Sequence, residues 1–338
     1  MSTSRTVNYD ALLTTTFENV TSKGWDIIAQ QMPGFMWITK KGGVDITVDG
    51  GSQIRRNIAL RFNTDGGSFA AGDVISATDQ NPVEPAFFDW GHYDKPTVFF
   101  KQEELHNQGK ERIMDLGKAK MEQTLKSLKN DLASDFYGSG GTDKLLGLKA
   151  VMDINNYTTD SYGGLSRATY TAWRPQYKGS TTGVCYNTST LVENLINDLT
   201  VQFLEASKGV YGSPDFGLTS ITGLMYYHQR CFDKLRITDN EVADAGFANL
   251  KFMNCVIMAD PYLNTTDGTC QGTNETFYLL NSKTWEMVIQ KGANFQTIGP
   301  KELEQQLGKR WDTFLFAQLV CLDPGSNAVI PGVAASGT

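Results

Sequence analysis

Histidine and cysteine are the side chains best suited to bind a metal or attack a substrate, and this 338-residue chain has few of them. A zinc site usually takes its ligands from closely spaced residues, such as a CxxC pair. No CxxC pair occurs here, and no two histidines are three or four positions apart. The histidines are His92, His106 and His228, and the cysteines are Cys185, Cys231, Cys255, Cys270 and Cys321. We predict no metal site, and free thiols in a reducing compartment.

A glycine-rich stretch, YGSGGTDKLLG at residues 137–147, is the nearest approach to a phosphate-binding loop. It lacks the GxxxxGK[ST] pattern, and Asp143 occupies the position of the last glycine in GxGxxG. The chain also lacks the GxSxG motif of hydrolases and the HExxH motif of metalloproteases. We therefore predict a connecting loop at this point, with no catalytic or cofactor-binding residues in the chain.

The charge and hydropathy of the chain exclude two classes of partner. Its 37 acidic and 30 basic residues give a net charge of −7, so no overall basic field attracts nucleic acid. The most apolar run, residues 314–322, is much shorter than the roughly 20 residues that span a bilayer. The first 20 residues have no apolar signal-peptide core. We expect a cytoplasmic protein that contacts DNA weakly and spans no membrane.

Residues 45–100 have the pattern of a long two-stranded excursion. In the strand predicted at 54–62, one face carries Ile58, Leu60 and Phe62, and the other face is cationic. The return path, residues 63–94, has acidic residues and no Lys or Arg. Because a two-stranded ribbon alone is marginally stable in water, we expect a partner to cover its apolar face.

Residues 107–138 predict a long helix with one apolar stripe, capped by Asn107 and ended by Gly138. The stripe consists of Met114, Met121, Leu125, Leu128, Leu132 and Phe136. The remaining positions, Lys129 among them, alternate in charge. They are either a solvated face with weak i,i+4 ion pairs or a face on which another chain lies.

The rest of the chain mixes helices and strands without regular alternation. An amphipathic helix is predicted from residue 191, a second helix near 223–235, and a long terminal strand at 308–322 that ends before Pro324 and Gly325. Short strands are predicted between these elements. This order indicates an α+β fold.

Four segments, in this order, resemble the major capsid proteins of tailed bacteriophages. They are GFMWITKKGGVDITVDGGSQIRRNIAL, ELHNQGKERIMDLGKAKMEQTLKSLKNDLASDFYG, GGLSRATYTAWRPQY and SPDFGLTSITGLMYYHQRC. The resemblance extends from about residue 30 to residue 322. It implies the α+β fold of tailed-phage capsids, which encapsulins share. The implied parts are an N-terminal arm (1–30), a peripheral domain (31–44 and 101–184) with a spine helix (107–137), an extended β-hairpin loop (45–100), an axial domain (185–290), and return strands with a C-terminal tail (291–338).

The resemblance also implies a function without catalysis. The chain would assemble through pentamers and hexamers into an icosahedral or prolate shell that encloses double-stranded DNA without specific binding. Its expected partners are other copies of itself, a separate scaffolding protein, a portal and a decoration protein. Assembly in the host cytoplasm and a final location in the virion follow from the same resemblance.

Seven charged residues are the expected contacts between subunits. They lie in the extended loop and on the spine helix: Arg55, Arg56, Arg61, Asp73, Glu84, Lys118 and Lys126. Some capsid proteins of this kind join a loop lysine covalently to a neighbour's asparagine. No lysine lies between Lys41 and Lys95, so we predict no such cross-link. Two alternatives remain open: an encapsulin-like compartment, and an α+β enzyme or binding module that forms no shell.

Overall fold

The structure, a computed structural model, describes residues 13, 14, 16, 32–48, 50–59, 68, 70, 71, 83–106, 110–152, 158–177, 191–231, 250–263 and 274–334. These ranges contain two larger sheets, two two-stranded sheets and several helices. The N-terminal arm is represented by residues 13, 14 and 16 alone. Leu13 is buried beside Phe99, Met121 and Trp311.

A five-stranded sheet is built around the longest strand, β14 (Gly308–Cys321). Along one side β14 is antiparallel to β4 (Gly91–Phe100). On the other side it is antiparallel to β12 (Trp285–Gln290) and β13 (Gln296–Glu302). The edge strand β1 (Gly43–Val48) runs parallel to β12. The long terminal strand predicted from the apolar run is therefore confirmed.

A separate antiparallel ribbon consists of β2 (Gln53–Ala59) and β3 (Val83–Asp89). It begins after Gly50 and Gly51, whose φ values of +125° and +108° are suited to glycine, so the predicted turn is confirmed. Its inner face is buried, and its outer face is largely exposed. The sequence predicts a two-stranded excursion over residues 45–100. In the described residues this excursion is two-stranded only at 53–59 and 83–89, because β1 and β4 belong to the five-stranded sheet.

The predicted long helix is confirmed as α3 (Lys110–Phe136), which follows a short helix, α2 (Lys101–His106). Its 27 residues extend about 40 Å at a rise of 1.5 Å per residue. The buried stripe is the predicted one from Met121 onward, because a 4-3-4-4 spacing keeps these residues on one side. The side chain of Met114 and the proposed cap Asn107 lie outside the described residues.

The second of the two larger sheets has six strands. Its order is β7 (Gln176–Tyr177), β15 (Ala328–Ala334), β11 (Asn274–Leu280), β8 (Phe216–Thr219), β10 (Cys255–Ala259) and β9 (Leu250–Phe252). Helices α5 (Leu191–Ala206) and α6 (Ile221–Cys231) pack on one face. On the other face, Trp37 of α1 (Pro33–Lys41) stacks on Phe216 with ring centroids 4.6 Å apart.

A small helix and hairpin connect these parts: α4 (Leu148–Val151), β5 (Ser161–Tyr162) and β6 (Leu165–Ser166). The mixed sheets and separate helices confirm the α+β class. Two of the strand pairings are not predicted by the sequence. β12, within the range 185–290 expected to form the axial domain, pairs with β14 in the five-stranded sheet. β15 follows the predicted last strand and pairs with β11 in the six-stranded sheet.

Candidate assembly surfaces

The outer face of the ribbon is the first candidate assembly surface. Arg55 lies directly opposite Phe87, and both side chains are exposed. Gln53 donates a hydrogen bond to Asp89 across the strands, with Nε2 2.8 Å from Oδ1. Arginine and aromatic side chains are the types enriched in protein interfaces, because each offers both apolar area and directed polar or π contacts. This face can therefore contact another protein.

The inner face of the ribbon packs on its own chain, which corrects the expectation of an uncovered face. The rings of Phe88 and Tyr162 have centroids 5.2 Å apart, and the amide of Phe87 donates to the carbonyl of Gly163 at 2.9 Å. A Cβ on Gly163 would lie 2.7 Å from Phe88. The stability argument for a covering partner thus fails for residues 53–59 and 83–89. The tip of the predicted excursion lies outside the described residues.

Arg56 joins the ribbon to the five-stranded sheet. Its guanidinium forms two hydrogen bonds with Glu286 of β12, Nε to Oε2 at 3.1 Å and Nη2 to Oε1 at 2.7 Å. Nη2 also donates to Oδ2 of Asp45 in β1 at 2.7 Å. The hydrogen bond with Glu286 raises the pKa of Arg56, and partial burial opposes this effect. The arrangement fixes the inner face of the ribbon against β1 and β12, because a planar guanidinium binds a carboxylate in one orientation.

The outer face of α3 is the second candidate surface, and Lys118 and Lys126 are exposed on it. The described ion pairs of this helix join it to other elements rather than lying along its surface. Lys120 pairs with Glu103 of α2 at 2.5 Å, and Asp131 pairs with Lys95 of β4 at 2.6 Å. These pairs hold the helix on α2 and β4, so they leave less of its charge for a neighbour than the sequence indicates.

Lys129 is buried, which corrects the sequence-based prediction that it lies on the charged outer face of the helix. Its side chain is 2% exposed and its Nζ lies 5.6 Å from the ring centroid of Tyr262. Burial lowers the pKa of Lys129, and the charge of Asp260 opposes that change. The aliphatic stem of lysine permits this position, because it packs like an apolar side chain while the ammonium group meets polar partners.

Asp260 connects α3 and α1 to the six-stranded sheet. The hydroxyl of Tyr137 donates to Oδ2 of Asp260 at 2.5 Å, and the amide of Tyr262 donates to Oδ1 at 2.9 Å. The amide of Gly34 donates to Oδ2 at 3.4 Å. Burial raises the pKa of Tyr137 well above its usual value. A fully buried carboxylate requires such donors, so this cluster determines how α1 and α3 pack on the six-stranded sheet.

The structure does not bring the seven predicted contact residues to one surface. Arg55 faces outward on the ribbon. Arg56 and Glu84 lie on the inner face, because they oppose the buried Ala86 and Ile58. Lys118 and Lys126 lie on α3. Arg61 and Asp73 are outside the described residues.

The described side chains show little that could perform chemistry. No group of three metal-binding side chains occurs among them. His228 and Cys231 lie three positions apart on α6, which is a spacing that metal ligands can have. This spacing weakens the sequence-based prediction that the chain has no metal site. The two side chains lie outside the described residues. Burial raises the pKa of the Cys255 thiol to about 12 and that of Cys321 further. Both thiols are therefore poor nucleophiles.

The glycine-rich loop connects the end of α3 to α4. A Cβ on Gly147 would lie within 2.5 Å of the carbonyl oxygens of Asp135, Gly138 and Phe136, so the loop is closed against the helix end. The amide of Leu145 donates to the hydroxyl of Tyr93 at 2.9 Å. These contacts are those of a connecting loop. In the described residues, no helix is long and apolar enough to cross a membrane.

Solved structures that this chain resembles include phage capsids. The cyanophage A-1(L) capsid superimposes with a TM-score of 0.65 at 14% identity, covering 89% of this chain and 92% of that chain. This chain has the phage capsid fold. The capsid of Myoviridae phage XM1 gives a TM-score of 0.54 at 11% identity, covering 86% and 90% of the two chains. The capsid of an empty GTA particle gives 0.55 at 9% identity, covering 88% and 96%. No family model and no curated protein matches the sequence.

The superposition extends over most of both chains, 89% and 92% for the cyanophage capsid and 86% and 90% for the capsid of phage XM1. The chains that this protein resembles are structural components of particles built from many copies. The sequence-based assignment of the fold to tailed-phage capsids is confirmed.

Proposed function

We propose that this protein is the major capsid protein of a tailed phage. It assembles through pentamers and hexamers into a closed shell around double-stranded DNA and performs no catalysis. The observation that carries this proposal is the match of nearly nine-tenths of the chain to solved phage capsids. A fold whose matched members form shells supports self-association as the work of this chain.

The outer face of the ribbon is the surface that we assign to contact with a neighbouring subunit. Arg55 and Phe87 are exposed there, whereas the inner face is already occupied by the subunit's own core. Lys118 and Lys126 on α3 provide a second charged surface, and Arg61 and Asp73 are assigned to contacts from the sequence. A separate scaffolding protein, a portal and a decoration protein would complete the particle in the host cytoplasm.

Electron microscopy of the purified protein, alone and with its scaffolding protein, tests the proposal. We expect closed shells, with DNA protected from nuclease in particles isolated from infected cells. Soluble monomers under every condition would refute the proposal, as would open filaments. Shells that carry a protein cargo in place of DNA would instead favour an encapsulin-like compartment.

Substitution of Arg55 tests the assigned ribbon surface. We expect Arg55→Glu to reduce the yield of shells and Arg55→Lys to preserve most of it, because only the first reverses the charge. Both variants should fold normally, since Arg55 is exposed. Unchanged assembly of Arg55→Glu would remove this residue from the interface.

A further inference from the structure

Consecutive strands pass from one larger sheet into the other at two places, and these two connections lie side by side. Strand β11 of the six-stranded sheet leads into β12 of the five-stranded sheet through residues 281–284, and β14 leads back into β15 through residues 322–327. The amide of Leu322 donates to the carbonyl of Thr284 at 2.8 Å, so the connections are bonded to each other. The angle between the sheets therefore depends on how these two short segments are held.

The side chain of Asn327 joins the two connections. It is completely buried, and its Oδ1 accepts hydrogen bonds from the amide of Asn281 at 2.8 Å and from Nε1 of Trp285 at 2.9 Å. Its Nδ2 donates to Oγ1 of Thr284 at 3.0 Å and to the carbonyl of Asp323 at 2.8 Å. One amide group thus bonds the first connection at both ends and the second connection near its start.

The hydrogen bonds of Asn327 permit one orientation of its amide group. A backbone amide and an indole N–H can only donate, and a carbonyl can only accept, so the oxygen and the nitrogen cannot exchange places. The backbone of Asn327 is also bonded on both sides, since its N–H donates to the carbonyl of Pro324 and its carbonyl accepts from the amide of Gln176 in β7, each at 3.0 Å. Because the group is buried, a lost partner would not be replaced by water.

The first connection is also held against the segment between α5 and β8. The side-chain amide of Asn281 donates to the carbonyl of Gly212 at 3.0 Å. Ser282 donates twice to Asp215, from its amide to Oδ1 at 2.9 Å and from its hydroxyl to Oδ2 at 2.7 Å. These bonds fix the first connection on the six-stranded sheet, and Asn327 then fixes the second connection on the first.

We propose that Asn327 is a positioning residue that sets the angle between the two sheets and, through this angle, the curvature of the shell. The inference rests on the proposed function. A closed shell requires contacts on several sides of each subunit, and identical copies form a closed assembly only when the rotation between neighbours is the correct one. The ribbon and α3 are attached to the five-stranded sheet. Contacts on the six-stranded sheet therefore meet their neighbours at an angle that the two connections determine.

The variant Asn327→Asp tests the proposal, because it retains the shape and the accepting oxygen of the side chain and removes both donors. In the dissociated subunit we expect the amide of Leu322 to exchange roughly tenfold faster, since the connections lose buried hydrogen bonds. In electron micrographs, the share of closed shells with the wild-type diameter should fall roughly fivefold or more. The other particles should be open or closed at different diameters.

A milder variant and a control complete the test. Thr284→Val removes one acceptor of the Asn327 amide, so it should change the diameters in the same way by roughly twofold, and it decides the question if Asn327→Asp does not fold. The matched control is Ile257→Ala in β10, which removes a buried side chain outside the connections and lowers stability. It should give fewer shells, all with the wild-type diameter.

Three outcomes separate this inference from the proposed function. Shells of wild-type diameter and yield in Thr284→Val and Asn327→Asp would overturn the inference. Mixed diameters in Ile257→Ala would also overturn it, because lost stability alone would then account for the effect. Failure of the wild type to form any shell would instead refute the proposed function.

Discussion

The contact of Arg56 with Glu286 and Asp45 should determine how firmly the ribbon is held on the sheet. The three side chains are 22%, 16% and 22% exposed, so water screens their interaction only in part. Replacing Arg56 by Met retains an unbranched apolar stem and leaves two carboxylates without their shared cation. Hydrogen bonds to charged groups contribute about 1.5–3 kcal/mol each when well formed. We expect the lower half of that range for opening of the ribbon, because the site is partly exposed.

Hydrogen exchange of the ribbon amides measures this loss locally. A loss of about 1.5–2 kcal/mol corresponds to roughly 10- to 30-fold faster exchange at the amides that pair β2 with β3. The matched control is Arg55→Met, which removes the neighbouring arginine from the exposed face. It should leave the exchange rates nearly unchanged, since Arg55 has the outer position opposite Phe87.

Two results would refute this reasoning. Equal exchange rates in Arg56→Met and the wild type would show that the apolar inner face alone holds the ribbon. Equal acceleration in both variants would show that the effect is not specific to the contact with Glu286 and Asp45. The effect should not vary between pH 5 and 9, because the pKa of Arg56 is raised from a value that already lies above this range.

Further predictions concern the packing and the alkaline stability of the subunit. Phe88→Ala should lower the free energy of unfolding by roughly 3–5 kcal/mol in urea denaturation, whereas Phe87→Ala should change it by about 0.5 kcal/mol or less, because Phe88 is buried and Phe87 is exposed; similar losses would show that the ribbon base is not packed as described. Gly163→Ala should also destabilise, since its φ of +61° and the nearby ring of Phe88 disfavour a side chain, and an unchanged melting temperature would contradict this. For Cys255, burial raises the thiol pKa from 9.0 to about 12, so the unfolded chain releases this proton first and stability falls as the pH rises above about 9. Cys255→Ala should reduce that fall by about 1 kcal/mol at pH 10, measured as the difference in unfolding free energy from pH 8, and an identical pH dependence in both proteins would refute the assignment.

The sequence determined the elements whose pattern is local and strongly periodic. The stripe from Met121 to Phe136 repeats every three or four residues, so the long helix could be predicted without knowledge of what covers it. The alternation in Ile54–Ile58 likewise predicted a strand with one apolar face, and the segments that resemble capsid proteins predicted the fold.

Only the tertiary structure decided which surfaces remain open. The inner face of the ribbon has the same pattern whether its own chain or a neighbour covers it, and the packing of Phe88 on Tyr162 settled this for the ribbon base. Lys129 looked like part of a solvated face, yet the turn at Asp260–Tyr262 buries it. Conversely, Val201 and Leu204 belong to a helix that the sequence predicts as amphipathic, and both apolar side chains lie exposed. Sequence periodicity reports which residues share a face of an element, whereas burial depends on what the rest of the chain places against that face.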